Sequence, residues 1–346
     1  MSSGQAEKSE PSRDHKPVIA VTMATSRQGI GVVNELSKTN QYQIRAITRN
    51  INSNKAIKLK KLGNVEVVAG DLMDPLSLDR AFEGVEAIFG NTTPTKGWKL
   101  FRGSIVRSYE IDQGYNLINQ VKKAFNKGQL KHFVFSSISK AKNPLKNDPA
   151  PGHFTSKWDI EDYIKKMGLR EITTVLRPVS YFENFENKLP GYSISKKIFP
   201  GIVNKNCTWQ TIAVEDIGKW VRGVLSKPDK YKNQAINIAS EELTGKDMAM
   251  TLEKLVCTEG IKTSYVMIPR PIIKFLELDI GLMADWIERS GYGADMNKLK
   301  RMQEELNIIP TSLESWLSKK LDEQNKKTNI WEAQWKSSQW KLQLEE

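Results

Sequence analysis

The chain has 346 residues, 39% hydrophobic and 27% charged, with a formal net charge of +12. That size permits a sizeable core and one large domain, or a domain with a smaller lobe; no apolar run approaches the ~18 residues of a membrane span. The two cysteines, Cys207 and Cys257, and the three histidines show no metal-ligand spacing, which argues against a metal site and for a reducing, intracellular compartment.

Residues 1–16 are polar, lack the apolar segment of a signal peptide, and read as a disordered arm. From there strands and helices alternate. KPVIAVT (16–22) is a β-branched strand, and 29–38 carries Val32, Val33 and Leu36 at helical spacing. QIRAIT (43–48) is the second strand, 55–62 a helix, 65–69 the third strand, and 76–82 a short helix that Pro75 can start. A fourth strand at 87–91 is followed by a loop over 93–107, a long helix at 109–126 and the strand HFVFS at 132–136. A Pro- and Asn-rich loop (143–152) precedes a helix at 155–167 and a strand at 173–176. Such alternation predicts βαβ units in an α/β, doubly wound parallel sheet. Beyond Pro178 the pattern becomes irregular, with helices at 215–225, 244–255, near 272–288 and at 312–324, the last capped by Thr311 or Ser312. This tract reads as a smaller substrate or partner lobe.

Lysines cluster at Lys55, Lys58, Lys60 and Lys61, and at Lys122, Lys123, Lys127 and Lys131. They read as solvated faces of amphipathic helices. With no interleaved aromatics and no nucleic-acid module, direct nucleic-acid binding is not expected. Glu215 and Asp216 read as the acidic opening of a helix, not as a catalytic dyad, and Cys207 and Cys257 as structural or incidental thiols. Trp331, Trp335 and Trp340 stand in the tail from 323 to 346, the first pair four apart on one helical face; the plain reading is a docked or disordered arm, and the alternative a stripe that anchors a partner or lies on a membrane surface.

The stretch VTMATSRQGIG (21–31) sits where a phosphate-binding loop would follow the first strand. A GxxGxxG spacing falls on Met23, Ser26 and Gly29, and only Gly29 is glycine. Position adds what composition lacks: the turn opens a helix, where backbone N–H groups can meet a phosphate. Arg49 stands at the end of the second strand, where an acidic residue would bind a ribose hydroxyl and an arginine suits a 2′-phosphate.

VTMATSRQGIGVV, AITRN, VEVVAGDLMDP, EAIFGNTT, HFVFSS, FTSKWDIEDYI and LRPVSYFENF, in that order, resemble the NmrA-like family of atypical short-chain dehydrogenase relatives, in register from about 18 to 186 and loosely to 321. The resemblance implies a Rossmann domain over 17–180 and a smaller C-terminal α/β lobe over 181–322, interleaved with the sheet. It implies that Thr25, Ser26, Arg27, Gln28 and Gly29 cradle a pyrophosphate, that Arg49 and Asn50 face a 2′-phosphate, and that Asp71 and Leu72 flank the adenine. Asn91, Thr92 and Thr93 would line the ribose side, Lys157 the nicotinamide ribose, and Tyr181, Phe182, Glu183 and Asn184 the nicotinamide. NADP(H) is then favoured over NAD(H), with Met23 and Ser26 the departures that bear on affinity.

A short-chain reductase of the ordinary kind needs YxxxK, in which the lysine lowers the phenol's pKa. Here His153 stands four residues before Lys157. His153 and Tyr181 are the weak candidates for proton transfer, and Ser136 or Ser137 for orienting a carbonyl. Three readings stay open: an NADP(H)-binding redox sensor that regulates through a protein partner such as a transcription factor, an NADPH-dependent oxidoreductase with an atypical donor, and a scaffold without dinucleotide binding. The expected location is cytoplasmic, with the nucleus also open, and a homodimer is compatible with all three.

Overall fold

The computed structural model describes residues 16–93, 103–139, 151–186, 198–256, 262–276 and 278–323. β1 (Val18–Val21) runs into α1 (Arg27–Thr39), which Asn40 ends in the left-handed region at φ 52°. β2 (Gln43–Thr48) leads to α2 (Asn54–Lys60), capped by Ser53, and β3 (Val65–Ala69) to α3 (Pro75–Ala81), capped by Asp74 with Pro75 in its first turn. β4 (Ala87–Gly90), α4 (Gly103–Asn126), β5 (His132–Ser136), α5 (Gly152–Lys166) and β6 (Thr173–Pro178) complete the alternation. Two expectations are corrected here. Residues 103–107, expected as loop, already belong to α4, because extending a nucleated helix upstream gains a hydrogen bond for each residue fixed. α5 likewise begins three residues before the expected Thr155.

After β6 come β7 (Ser180–Tyr181), β8 (Ile198–Gly201), β9 (Thr208–Ile212), α6 (Asp216–Ser226) and α7 (Pro228–Tyr231). β10 (Gln234–Ile238), β11 (Glu241–Thr244), α8 (Gly245–Val256), β12 (Ser264–Met267), α9 (Arg270–Leu276), α10 (Leu278–Ser290) and α11 (Met296–Glu305) follow, and a closing helix occupies 313–323. The helix expected near 272–288 is two helices, α9 and α10. They fold against each other: Lys274 Nζ and Arg270 Nε reach Asp285 at 2.6 and 2.9 Å, and Gly281 leaves room for the Lys274 side chain.

The central sheet has seven parallel strands in the order β3-β2-β1-β4-β5-β6-β10. Its first six follow the Rossmann order, with the switch point between β1 and β4. The seventh strand, β10, comes from the tract beyond Pro178, so the chain returns from the smaller lobe to the sheet. Ile19 and Val21 face one buried cluster with Val32, Leu36, Ile217 and Val221, whereas Ala20 faces another with Leu117, Ile118 and Ile160. Burial on both faces accounts for the continuous apolar runs of β1, β4 and β5.

α1 and α6 cross at backbone contact. A Cβ on Gly218 would lie 2.4 Å from the Gly31 carbonyl oxygen, and one on Gly31 would meet Glu215 Cα at 3.2 Å. Two shorter sheets, β11-β9-β7 and β12-β8, build the lobe. The buried Asp216 carboxylate ties it to the closing segment, accepting from Thr311 N–H (2.7 Å), Thr311 Oγ1 (2.8 Å) and Ser240 Oγ (2.8 Å) and pairing with Lys219 at 2.6 Å. Glu215 and Asp216 thus serve the α6 terminus. Ser312, not Thr311, caps the closing helix through Ser315 N–H. Cys257 and the tryptophans at 331, 335 and 340 lie outside the described residues.

Candidate functional site

At the carboxyl ends of β1, β2 and β3 lies a cleft of ≈ 200 Å³ lined by Thr22, Met23, Thr25, Ser26, Thr48, Arg49, Asp71, Leu72 and Thr93, among others. A doubly wound sheet opens such a crevice at its switch point because the connections leave in opposite directions there.

The turn from β1 to α1 forms one wall. Met23, at the first glycine place, adopts φ 47°, a left-handed conformation that costs a non-glycine residue ~1–2 kcal/mol. Its side chain is half-buried and packs on the cluster that holds Ala20, Leu72 and Leu78, which recovers part of that cost. Ser26 spends its hydroxyl as the α1 cap, accepting from Gly29 N–H at 3.1 Å. Of the opening N–H groups that have no intrahelical acceptor, those of Arg27 and Gln28 therefore remain at the mouth of the helix. Gly29 cannot be replaced cheaply: a Cβ there would lie 2.3 Å from Met23 carbonyl oxygen and 2.7 Å from Ala24 Cα. The one surviving glycine is the one that backbone packing demands.

The outer lip is basic. Arg49 and Asn50 are exposed at the end of β2, and Lys55 Nζ approaches the Thr25 carbonyl oxygen at 3.4 Å. Lys55, Lys58, Lys60 and Lys61 are all exposed, as expected of a solvated helix face, and the β1–α1 turn brings Lys55 beside the cleft. Asp71 turns its carboxylate back to Met73 N–H at 3.0 Å, which shapes the loop after β3, and Leu72 is buried beneath it with its carbonyl accepting from Asn116 Nδ2 at 3.0 Å.

Beyond the carboxyl ends of β4 and β5 the polar groups are buried. Lys157 Nζ, on α5, donates to Thr92 Oγ1 (2.8 Å), Thr92 carbonyl (3.1 Å), Ser136 carbonyl (3.2 Å) and Asn91 Oδ1 (3.4 Å). Glu110 of α4, fully buried, pairs with Lys157 at 3.3 Å and accepts from Thr92 Oγ1 at 2.9 Å and from Ser156 Oγ. Burial pushes the Lys157 ammonium below the usual lysine range, and the Glu110 and Glu161 carboxylates pull it back up. Thr93 exchanges hydrogen bonds with the Gln113 side chain on α4 (3.1 and 3.3 Å). Glu110 and Gln113 escaped the sequence reading because an isolated polar residue in a long helix looks solvated; their spacing of three residues on the face that carries Leu117 was the available signal.

Gln28 links α1 to β5 and β7. Its Oε1 accepts from Ser136 Oγ at 2.7 Å and its Nε2 donates to the Tyr181 hydroxyl at 2.8 Å. Burial, with Tyr292 and Glu183 nearby, drives the Tyr181 phenol far above its usual range and keeps it protonated. Ser137 Oγ is buried with no hydrogen-bond partner.

The remaining predicted residues separate. Arg27 is exposed and reaches the Glu183 carbonyl at 3.4 Å, while the Glu183 carboxylate accepts from Val214 N–H at 3.0 Å. Asn184 is half-buried in the same turn. Phe182 lies in the core, fully buried against Trp316 at 5.7 Å between ring centroids, where it supports the segment from beneath. His153 turns away from the Lys157 cluster: its Nδ1 faces Asp279 Oδ2 of α10 at 3.5 Å and its ring meets Phe154 edge-on. That contact holds the Asp279 carboxyl below the usual range. Cys207 is half-buried beside the Thr208 carbonyl, and burial raises its thiol pKa. Among the described residues no cluster of His, Cys, Asp or Glu could hold a metal ion, and no helix is long and apolar enough to cross a membrane.

Comparison with known proteins agrees with this geometry. NmrA, described as a negative transcriptional regulator and solved with NAD and with NADP, superposes with TM-scores of 0.69 and 0.68 at 20% identity, covering 88% of this chain and 94% of its own. An NADPH-dependent quinone oxidoreductase from Escherichia coli, solved with NADPH, gives a TM-score of 0.65 at 22% identity over 88% of this chain and 99% of its own. The NmrA-like family domain-containing oxidoreductase lnbB of Aspergillus flavus is 25% identical over 265 residues, which is 72% of this chain and 76% of that protein. The NmrA-like family itself matches residues 15–332. With that match spanning nearly the whole sequence, and with the Rossmann order and the βα turn in place, the chain belongs to the NmrA-like family.

Proposed function

We propose that this protein binds a nicotinamide dinucleotide, NADP(H) in preference to NAD(H), and acts as a redox-responsive regulator through a protein partner. The observation that carries this reading is the pairing of an open α1 N-terminus with a basic lip, Arg49 and Lys55, on one cleft. The donor set suits the group: the Arg27 and Gln28 N–H groups would receive the pyrophosphate, and Arg49 with Lys55 a 2′-phosphate. Leu72 and Leu78 would flank the adenine, and Asn91, Thr92 and Lys157 the nicotinamide ribose. When bound, the dinucleotide supplies a hydride. The residues at that end hold protons instead of delivering them, since Lys157 is engaged by carbonyl and hydroxyl oxygens and the Tyr181 phenol stays protonated. A cytoplasmic or nuclear location follows from the regulatory reading.

Titration with NADPH, followed by intrinsic fluorescence, tests the cofactor. A saturable change is expected, and none up to millimolar cofactor removes this reading in favour of a scaffold. A second reading, an NADPH-dependent oxidoreductase, draws support from relatives named as oxidoreductases and from the Ser136–Gln28–Tyr181 chain of hydrogen bonds. Tyr181 is its better proton donor, because His153 is engaged with Asp279. NADPH consumption with quinones, aldehydes and enones discriminates: turnover abolished in Tyr181→Phe and retained in His153→Ala supports it.

A further inference from the structure

We propose that Glu110 is the positioning residue of the nicotinamide end: its buried carboxylate keeps Lys157 cationic and fixed between the carboxyl ends of β4 and β5. This inference rests on the dinucleotide reading for its purpose, but its physical content can be tested in the ligand-free protein.

The arrangement begins with a glycine. A Cβ on Gly114 would lie 2.3 Å from Ile160 Cγ1, so α4 and α5 approach more closely there than side chains ordinarily permit. Gly114 is one turn beyond Glu110, and Ile160 three residues beyond Lys157. The close crossing therefore draws the Glu110 carboxylate onto Ser156 and Lys157. On an apolar helix face that also buries Leu117, Ile118 and Val121, a hydrophobic side chain would serve stability as well or better. A carboxylate stands there instead, and both its oxygens are used: Oε1 by Lys157 and Thr92, Oε2 by Ser156.

The other charges around Lys157 do not replace it. Glu161, one turn along α5, gives both carboxylate oxygens to Arg177 of β6, at 2.9 and 2.5 Å. His153, one turn back, faces Asp279. Tyr181 of β7 meets Gln28, and Phe135 of β5 offers only its ring, 5.5 Å from the ammonium. Among the described residues, Glu110 is the carboxylate in direct contact with the ammonium. Thr92 Oγ1 accepts from Lys157 and donates to Glu110, so the hydroxyl that would line the ribose side is oriented by the same carboxylate.

Glu110→Gln keeps the shape and removes the charge. With selectively labelled lysine, the Lys157 resonance (assigned by its loss in Lys157→Met) is followed by NMR between pH 6.5 and 9, and NADPH binding is measured over the same range. In the wild type Lys157 should remain protonated throughout. In Glu110→Gln its titration should enter the range, and NADPH affinity should fall about tenfold between pH 7 and 9, as the charged fraction drops tenfold for each pH unit above the pKa. Glu110→Asp should restore the charge and the flat profile, with affinity reduced a few-fold by the shorter reach; this variant decides the matter if Glu110→Gln fails to fold. An unchanged Lys157 titration in Glu110→Gln, or wild-type affinity in Glu110→Asp, overturns the proposal. A wild type that binds no NADPH, together with a Lys157 titration that moves in Glu110→Gln, rejects the dinucleotide reading while supporting the hold of Glu110 on Lys157.

Discussion

The basic lip and the buried Lys157 cluster are built on opposite electrostatic plans. At the lip, proposed for the adenosine, Arg49, Asn50 and Lys55 stand in solvent with few fixed contacts of their own. At the other end, proposed for the nicotinamide, Lys157, Glu110, Thr92 and Ser156 are buried and bound to one another. Exposed charges are screened and contribute little to folding, so the lip can set affinity and selectivity at small structural cost. The buried cluster has already borne the desolvation of two charges and is preorganised. In the proposed reading, recognition is thus separated from positioning.

Mutation can break that contrast, and the largest effect falls at the buried end. Lys157→Met leaves the Glu110 carboxylate buried without its counter-charge and should destabilise by ~3–5 kcal/mol, read by chemical denaturation. A loss within experimental error of zero would mean that the cluster is not preorganised at all.

Next in size is a buried group at the amino end of β5, opposite the Lys157 cluster, a control for burial away from the candidate site. His132 at the start of β5 bonds Thr174 Oγ1 at 2.8 Å, and burial, with Lys232 nearby, lowers its pKa to about 4. The folded state keeps this imidazole neutral while the unfolded chain protonates near pH 6.5. Its stabilising contribution is therefore fully present above that value and is lost as pH falls toward 4, by ~3 kcal/mol in total. His132→Gln should flatten this part of the stability profile from pH 7 to 4; an undiminished slope would assign the acid sensitivity elsewhere.

The lip should respond in binding and not in stability. Arg49→Ala is expected to shift unfolding by no more than ~0.5 kcal/mol and to weaken NADPH about tenfold, ~1.4 kcal/mol, with NADH unchanged. Equal loss for both cofactors, measured by paired titrations, would contradict the role of Arg49. The smallest effect belongs to Met23→Gly. Relief of the left-handed backbone, ~1 kcal/mol, is set against lost packing and a more flexible unfolded chain, so net stability should change by less than ~0.5 kcal/mol.

Much of this was legible in the sequence, for physical reasons that differ along the chain. The central strands β1, β4 and β5 are buried on both faces, and the apolar runs from VIAV to TTVLRP alternate with amphipathic helices, so the parallel sheet could be read directly. QAINI, the seventh strand, lies at the sheet edge with a mixed burial pattern, and no helix-length spacing announces where it returns. The two- to five-residue strands of the lobe are too short for periodicity to mark. Around the candidate site, position in the βα pattern singled out the Ser26–Gly29 turn and Arg49, and the family resemblance Lys157, whereas the placing of Glu110 and Lys55 depended on how close neighbouring elements approach. Gly114, which sets one of those approaches, looks like any glycine in a helix until its neighbour is known.

The contact between Gly31 and Gly218 has a mechanical consequence. Most helix pairs are separated by interdigitated side chains that can change rotamer and absorb small motions. Here backbone rests on backbone, and Glu35 with Arg222 (3.1 Å) pins the next turn. Arg222 and Lys219 then reach the carbonyls of Asn307 and Ile309, ahead of the closing helix. A displacement of α1 by a fraction of an ångström has no soft layer in which to dissipate. The helix that begins at the β1–α1 turn and the far side of the lobe are joined as a stiff lever.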